Sequence, residues 1–267
     1  MGKHAGISRS EFEQTLQQVQ RLLGRVSDTT VSISANINSI AQVLPASMTK
    51  DLRALTTNFT GLVKKFFRLI AELIGSPGWP PAMYSAGQDW TAKVGAKASS
   101  LAGKAGKDQT KIDDVWEGMA ATAYADTLEA QAKALTSIKE AADEIDDALW
   151  TAAMCIAGFW IGSAVALIAY VVELEAAAVA TATVIGAPAG VTAAGGATVQ
   201  TIALWSALIA GAITVISTLI TQCKDLAQRL ADNEAFPGGK WPASATGSMS
   251  DGSLSDGDAT DWHIKTA

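Results

Sequence analysis

Histidine is almost missing from this chain. Of 267 residues only His4 and His263 carry an imidazole, one near each end and both distant from the two cysteines, Cys155 and Cys223. Ordinary His-based zinc sites and His-dependent triads are thereby excluded, because each needs an imidazole converging with other groups at one point. The cysteines read as two small apolar residues with free thiols, since a bridge would need their Cα atoms within about 7 Å. Charge is scarce as well. Asp, Glu, Lys and Arg make up 17% of the chain and the net charge is −6, which excludes the concentrated basic surface that nucleic acid requires. The balance is uneven: residues 1–75 hold nine Lys/Arg against five Asp/Glu. That front bias reads as a solvated helix face.

Further absences narrow the chemistry. The sequence Gly-Ala-Pro-Ala-Gly at 186–190 is not followed by the Lys-Ser/Thr of a phosphate-binding loop. Residues 251–258 look faintly like a calcium loop, but glycine is missing from the sixth position and Trp262 stands where the acidic twelfth residue belongs. The cluster Asp143, Glu144, Asp146 and Asp147 reads as a solvated face beside an apolar run. No catalytic, cofactor-binding or metal-ligating residue is expected, and no small-molecule substrate; the chain reads as a non-enzyme. Residues 1–9 lack the apolar core of a secretory signal, so any export is expected to be leaderless.

What the chain does have is apolar length. Residues 148–172 carry no charge, and neither do residues 176–223; Glu173 and Glu175 alone separate the two runs. The first run is 25 residues, above the roughly 20 that span a bilayer core, and its apolar residues go all the way round the helix. The second divides into an Ala/Thr/Gly-rich part, 176–196, and a part richer in Ile, Leu and Val, 199–222. This predicts a hydrophobic, transmembrane helical hairpin over 150–222 with its apex near Gly186–Gly196. Two antiparallel passes would put Cys155 and Cys223 at one membrane level. Lys133 and Lys139 precede the first span and Lys224 and Arg229 follow the second, so the positive-inside tendency would keep both termini cytoplasmic. The rival reading is the buried core of an elongated soluble bundle, and a third is a hairpin that is soluble during export and inserts later.

Residues 1–75 predict an amphipathic helical hairpin. Phe12, Val19, Val26, Ile33 and Ile40 recur every seven residues, as do Leu16, Leu23, Thr30, Ile37 and Leu44, an a/d-type seam. Pro45 stops the first helix and Ser47 is the expected N-cap of the second, whose seam is Leu52, Phe59, Phe66 and Leu73 with Leu55, Leu62 and Leu69. Val31 to Ile40 is rich in Ser, Asn and β-branched residues, a locally soft stretch. Gly75-Ser76-Pro77-Gly78-Trp79-Pro80-Pro81 is the strongest linker.

Between linker and apolar run lies a second predicted hairpin, 76–149. Its first arm carries a weak stripe, Trp90, Val94, Leu101, Ala105, Ile112 and Val115, interrupted by Gly103 and Gly106. Its second arm carries Leu128, Leu135, Ala142 and Leu149, with Tyr124, Gln131, Ile138 and Ile145. Trp116-Glu117-Gly118 stands between them, where glycine permits a tight reversal and an indole can lie across two helix ends. This segment, Asp113 to Tyr124, resembles the WXG superfamily of type VII (ESX) secretion substrates. The resemblance covers roughly residues 82–149. It implies a helical, non-enzymatic export substrate in which Trp116, Gly118 and Tyr124 form the structural and partner motif, and whose partner is secretion machinery or another WXG-type helical protein. The family's tyrosine with an acidic residue four positions on is not visible: Leu128 follows Tyr124 and Leu174 follows Tyr170 at that spacing.

The resulting expectation is an all-α chain: two helical hairpins, 1–75 and 76–149, forming a four-helix-bundle-like domain, then the hydrophobic hairpin, then a short helix end and disordered tail, 223–267. Its expected place is a membrane, with leaderless secretion. Two other functions remain open, a resident two-pass membrane scaffold and the export and translocation half of a toxin.

Overall fold

The computed structural model describes residues 6–105, 116–117, 119–231, 234–242 and 263–264. The protein is all-α. Helix α1 spans Arg9–Ala41, α2 Ala46–Gly75, α3 Pro80–Asp89 and α4 Ala96–Lys104, with a π-helical segment Trp90–Gly95 joining the last two. Two very long helices follow, α5 over Met119–Ala180 and α6 over Ala187–Leu230. The described strands are two residues each: β1, Trp116–Glu117, pairs antiparallel with β2, His263–Ile264.

Local signals account for the helix ends. Ser8 caps α1 in a reciprocal box: its Oγ accepts from Glu11 N at 3.3 Å, and Glu11 Oε2 accepts from Ser8 N at 2.9 Å, which satisfies two otherwise orphaned donors. The first helix ends at Ala41, and the N-cap of α2 is Pro45 rather than Ser47, with no side-chain cap bond. Proline serves because the cap donates nothing to the helix and its fixed φ suits the extended entry. Thr49 supplies the local tie instead, its hydroxyl lying within 3.4 Å of the carbonyls of Ala41 and Leu44.

The chain forms two compact units. One contains residues 4–82 and 152–217; the other contains 83–151 and the C-terminal part from 218. The first unit is a four-helix arrangement of α1, α2, the second half of α5 and the first two-thirds of α6. The hairpin that completes the bundle with α1–α2 is therefore the apolar one, where the sequence pointed to 76–149. The reason is the amount of apolar surface. Phe12, Val19, Val26, Ile33, Ile37, Phe59, Phe66 and Ile70 are buried in one core with Trp160, Leu167, Tyr170, Leu174, Val191 and Trp205. Each such side chain contributes about 1.5–3 kcal/mol when fully buried, and the Ala-rich arms of 82–149 offer far less. Phe66 is the hub, with ring centroids 5.5 Å from Tyr170 and 5.8 Å from Trp205, both edge-on.

In the second unit α3 and α4 run against the first half of α5 at close range. A Cβ on Gly87 would lie 3.3 Å from the backbone of Asp146, and one on Gly95 would lie 3.4 Å from the Ala142 methyl. Thr91 donates to Asp146 Oδ2 at 2.8 Å, Lys139 bridges Asp143 at 2.8 Å, and Arg229 pairs with Glu144. The acidic cluster is thus a polar seam between helices rather than a merely solvated face. Of the expected helical arm through Val115, the described part is helical as far as Lys104, and positions 106–115 lie outside the described residues.

Candidate membrane-inserting hairpin

The apolar hairpin is built on a turn that needs glycine. Helix α5 ends at Ala180, the chain reverses through 181–186, and α6 begins at Ala187 with Pro188 in its first turn, a position that suits proline's missing N–H. Gly186 donates its N–H to Thr183 Oγ1 at 3.0 Å, and a Cβ there would lie 2.5 Å from the Ala180 carbonyl oxygen. A Cβ on Gly190 would lie 2.8 Å from the Ala177 carbonyl oxygen. The apex is accordingly shorter than the expected Gly186–Gly196, and the Ala/Thr/Gly-rich stretch after it is helix. Its small residues let α6 approach α5. Cys223 stands further from this turn along the sequence than Cys155 does, so the equal-level arrangement drawn from two symmetric passes does not follow. Both thiols are free.

The two arms are tied and then divided into unlike faces. Thr198 Oγ1 donates to Ala194 O at 2.7 Å, which leaves Tyr170 OH to donate to Thr198 Oγ1 at 2.8 Å. Trp160 Nε1 donates to Pro77 O at 2.8 Å, anchoring the first arm to the 75–81 linker. The inner face is covered by α1 and α2. The outer face is not: Met154, Ile161, Val165, Ile168, Val172 and Val179 stand exposed along α5, and Val199, Leu204, Ile213, Ile216 and Ile220 along α6. Half of the most apolar window of α5 is buried, against 6% of that of α6. Exposed apolar side chains in this number along two helices exceed the scattered single residues of an ordinary solvent-facing surface.

Both helices are long and apolar enough to cross a membrane. The uncharged run 148–172 would extend about 37 Å at 1.5 Å per residue, enough for a hydrocarbon core of about 30 Å. Lipid also demands that polar groups be satisfied internally, and the hydroxyls of the arms meet that demand. Ser163 donates to Phe159 O, Ser206 to Ile202 O, Thr214 to Ala210 O and Ser217 to Ile213 O, all between 2.7 and 3.0 Å.

The motif residues taken from the resemblance are placed as follows. Trp116 and Glu117 are extended, pairing with Ile264 and His263; Gly118 lies outside the described residues, and α5 begins at the next position. Tyr124 lies on α5, 39% exposed, and makes an interaction there. Positions 106–115, which would join α4 to Trp116, also lie outside the described residues. Much of the tail, 243–262 and 265–267, also lies outside the described residues. Nearer α6, Pro237–Gly239 forms one 3-10 turn and Pro242 O accepts from Gln131 Nε2 at 3.0 Å.

The second unit has an open groove of about 680 Å³ lined by Glu129, Glu140 and Glu234 together with Lys133 and Arg229. Both signs of charge lie side by side, and Asp143 beside Lys139 pushes that ammonium above its ordinary value. Among the described residues no group of three or more His, Cys, Asp or Glu could hold a metal ion. What sequence reasoning missed is Asn36. From α1 it donates to Ala178 O at 3.1 Å and Thr181 Oγ1 at 3.2 Å, closing the C-terminus of α5 from outside. Its signal was the polar stretch that read as softness. No family profile matches the chain, and no curated protein or solved structure matches it.

Proposed function

We propose that this is a non-enzymatic, membrane-inserting protein whose apolar α5–α6 hairpin is carried against its own amphipathic α1–α2 hairpin, and that it is a WXG-like type VII secretion substrate. The observation that carries the membrane half is the apolar outer face of α5 and α6, interrupted by charge only at Glu173 and Glu175. The export half rests on the Trp116-Glu117-Gly118 resemblance, and its partners are secretion machinery or a WXG-type helical protein. The two together make it a membrane-associated protein exported by that machinery.

Alkaline carbonate extraction of the native protein tests the first half: an inserted hairpin stays in the membrane pellet, and full release into the supernatant would refute it. Comparing medium and cells for wild type and Trp116→Ala tests the second. Loss of the secreted fraction with unchanged cellular level is the expected result. A resident two-pass scaffold is the second reading, favoured by Lys133 and Lys139 before one span and Lys224 and Arg229 after the other. It would show as carbonate-resistant protein in cell membranes only, indifferent to Trp116→Ala.

A further inference from the structure

The four-helix unit has one end that carries no charge. Its axial order is fixed by contacts at both ends. At one, Trp160 Nε1 donates to Pro77 O and the ring of Phe12 lies 5.6 Å from that of Trp79. At the other, Asn36 of α1 reaches Ala178 and Thr181 of α5. The α1–α2 turn, 42–45, and the α5–α6 turn, 181–186, therefore lie at the same end of this unit. No charged residue occurs between Asp28 and Lys50, or between Glu175 and Lys224. Both turns instead expose apolar side chains: Val43 (73%) and Met48 from one, Val184 and Ile185 (94%) from the other.

Two separate hairpins thus present bare apolar tips side by side with no charge in either turn. We infer that this two-turn end docks first onto a lipid bilayer, so that the tip of the amphipathic hairpin enters together with the tip of the apolar one. The inference rests on the proposed membrane reading and adds an orientation and a second inserting element to it. A bilayer suits the end in depth. The nearest charged positions along the chain are Lys50, about 6 Å along α2 from its start, and Glu175, about 8 Å before the end of α5. An uncharged cap of that thickness matches the ~5–10 Å to which interfacial elements sink. The polar residues within it are uncharged, and Asn36 and Thr49 are tied locally, the first to Ala178 O and Thr181 Oγ1, the second to the carbonyls of Ala41 and Leu44.

A bilayer also suits the end in charge. The residues bordering the cap carry no positive excess: Arg25, Lys50 and Arg53 stand against Asp28, Asp51, Glu173 and Glu175, with Arg25 and Glu175 in an ion pair. Nothing there draws in anionic headgroups, so the lipid class is zwitterionic phosphatidylcholine, held by apolar contact and insensitive to salt.

The test uses the full chain with both native cysteines changed, Cys155→Ala and Cys223→Ala, and one new thiol at a time from Val43→Cys, Ile185→Cys or Ser10→Cys, each labelled with an environment-sensitive dye. With phosphatidylcholine vesicles containing brominated acyl chains, labels at positions 43 and 185 shift to the blue and are quenched, equally at low and high salt, while the label at position 10 stays aqueous. A quenched label at 185 with an aqueous one at 43 would overturn the inference and leave the membrane-inserting hairpin standing. Failure of both labels to respond would refute the membrane reading itself. A second variant guards against perturbation by the dye: Val43→Asp with Ile185→Asp touches only exposed side chains, keeps the helical melt, and weakens vesicle binding at least about tenfold. Unchanged binding would count against the two-turn end.

Discussion

Gly186 and Gly190 are constrained by their neighbours, whereas Gly195 in the same helix is not. The missing Cβ atoms at 186 and 190 would meet the carbonyl oxygens of Ala180 and Ala177, while nothing lies within 4 Å of one at Gly195. Opposite results follow in thermal melts monitored by circular dichroism. Gly190→Val pushes backbone against backbone and lowers the melting temperature. Gly195→Ala gains about 0.5–1 kcal/mol of helix propensity and raises it. A single residue also sets an acid dependence. Hydrogen bonds from the Ser8 hydroxyl and the Ser8 N–H hold the Glu11 carboxyl below its ordinary value. The stabilisation this capping gives is present above the usual carboxylate range and is lost as pH falls through the lowered folded-state value. Ser8→Ala should return the Glu11 titration, followed by NMR, to the usual range and remove that part of the acid sensitivity. Asn36 shows the limit of reading residues one by one. Its amide looks like a helix weakener in sequence, and only the neighbouring end of α5 reveals what it satisfies.

At the scale of the helix, period and breakers were legible and partners were not. The seven-residue series from Phe12 to Ile40 is buried at every position, because a 3.6-residue period fixes which face turns inward whatever lies opposite. It does not say what lies opposite, since apolar contact is non-directional. That is why α1–α2 packs with the apolar hairpin rather than with 82–149. The Ala/Thr/Gly stretch up to Gly196 read as the apex of the hairpin, yet at Gly190 close contact with Ala177 and Thr181 makes a small residue an asset in helix α6. Helix α5 carries the clearest element-scale prediction. Glu173 and Glu175 are the only charges between Asp147 and Lys224, and Glu175 holds Arg25 of α1 at the surface, a pair worth little to folding. Glu173→Gln with Glu175→Gln should leave the melt nearly unchanged while increasing the carbonate-resistant fraction. No increase would show that these carboxylates do not limit insertion.

For the whole molecule, the four-helix unit packs an amphipathic hairpin against two helices long and apolar enough to cross a membrane. Phe66 fills the space between the two hairpins, and Phe66→Ala should destabilise the four-helix unit by about 3–5 kcal/mol through lost transfer energy and the residual cavity. If the cover competes with lipid for the inner face of α5–α6, the same change raises partition into vesicles, measured by flotation. A destabilised chain that floats less than wild type would show that the two hairpins enter as one body. The all-α class and the membrane-length arms were readable from charge-free runs alone. The division into two units was not, because the change of pattern near residue 148 inside α5 does not say which other segments each half packs with.

The hydroxyls of Ser163, Ser206, Thr214 and Ser217 keep their partners on their own helix, one turn back, and Tyr170 finds its partner on the facing arm. Moving from a watery to an oily setting therefore rewires none of these bonds, and the work of the transition falls on uncovering side chains. In the proposed insertion, control would therefore rest with whatever draws α1 and α2 away from the inner face of this hairpin.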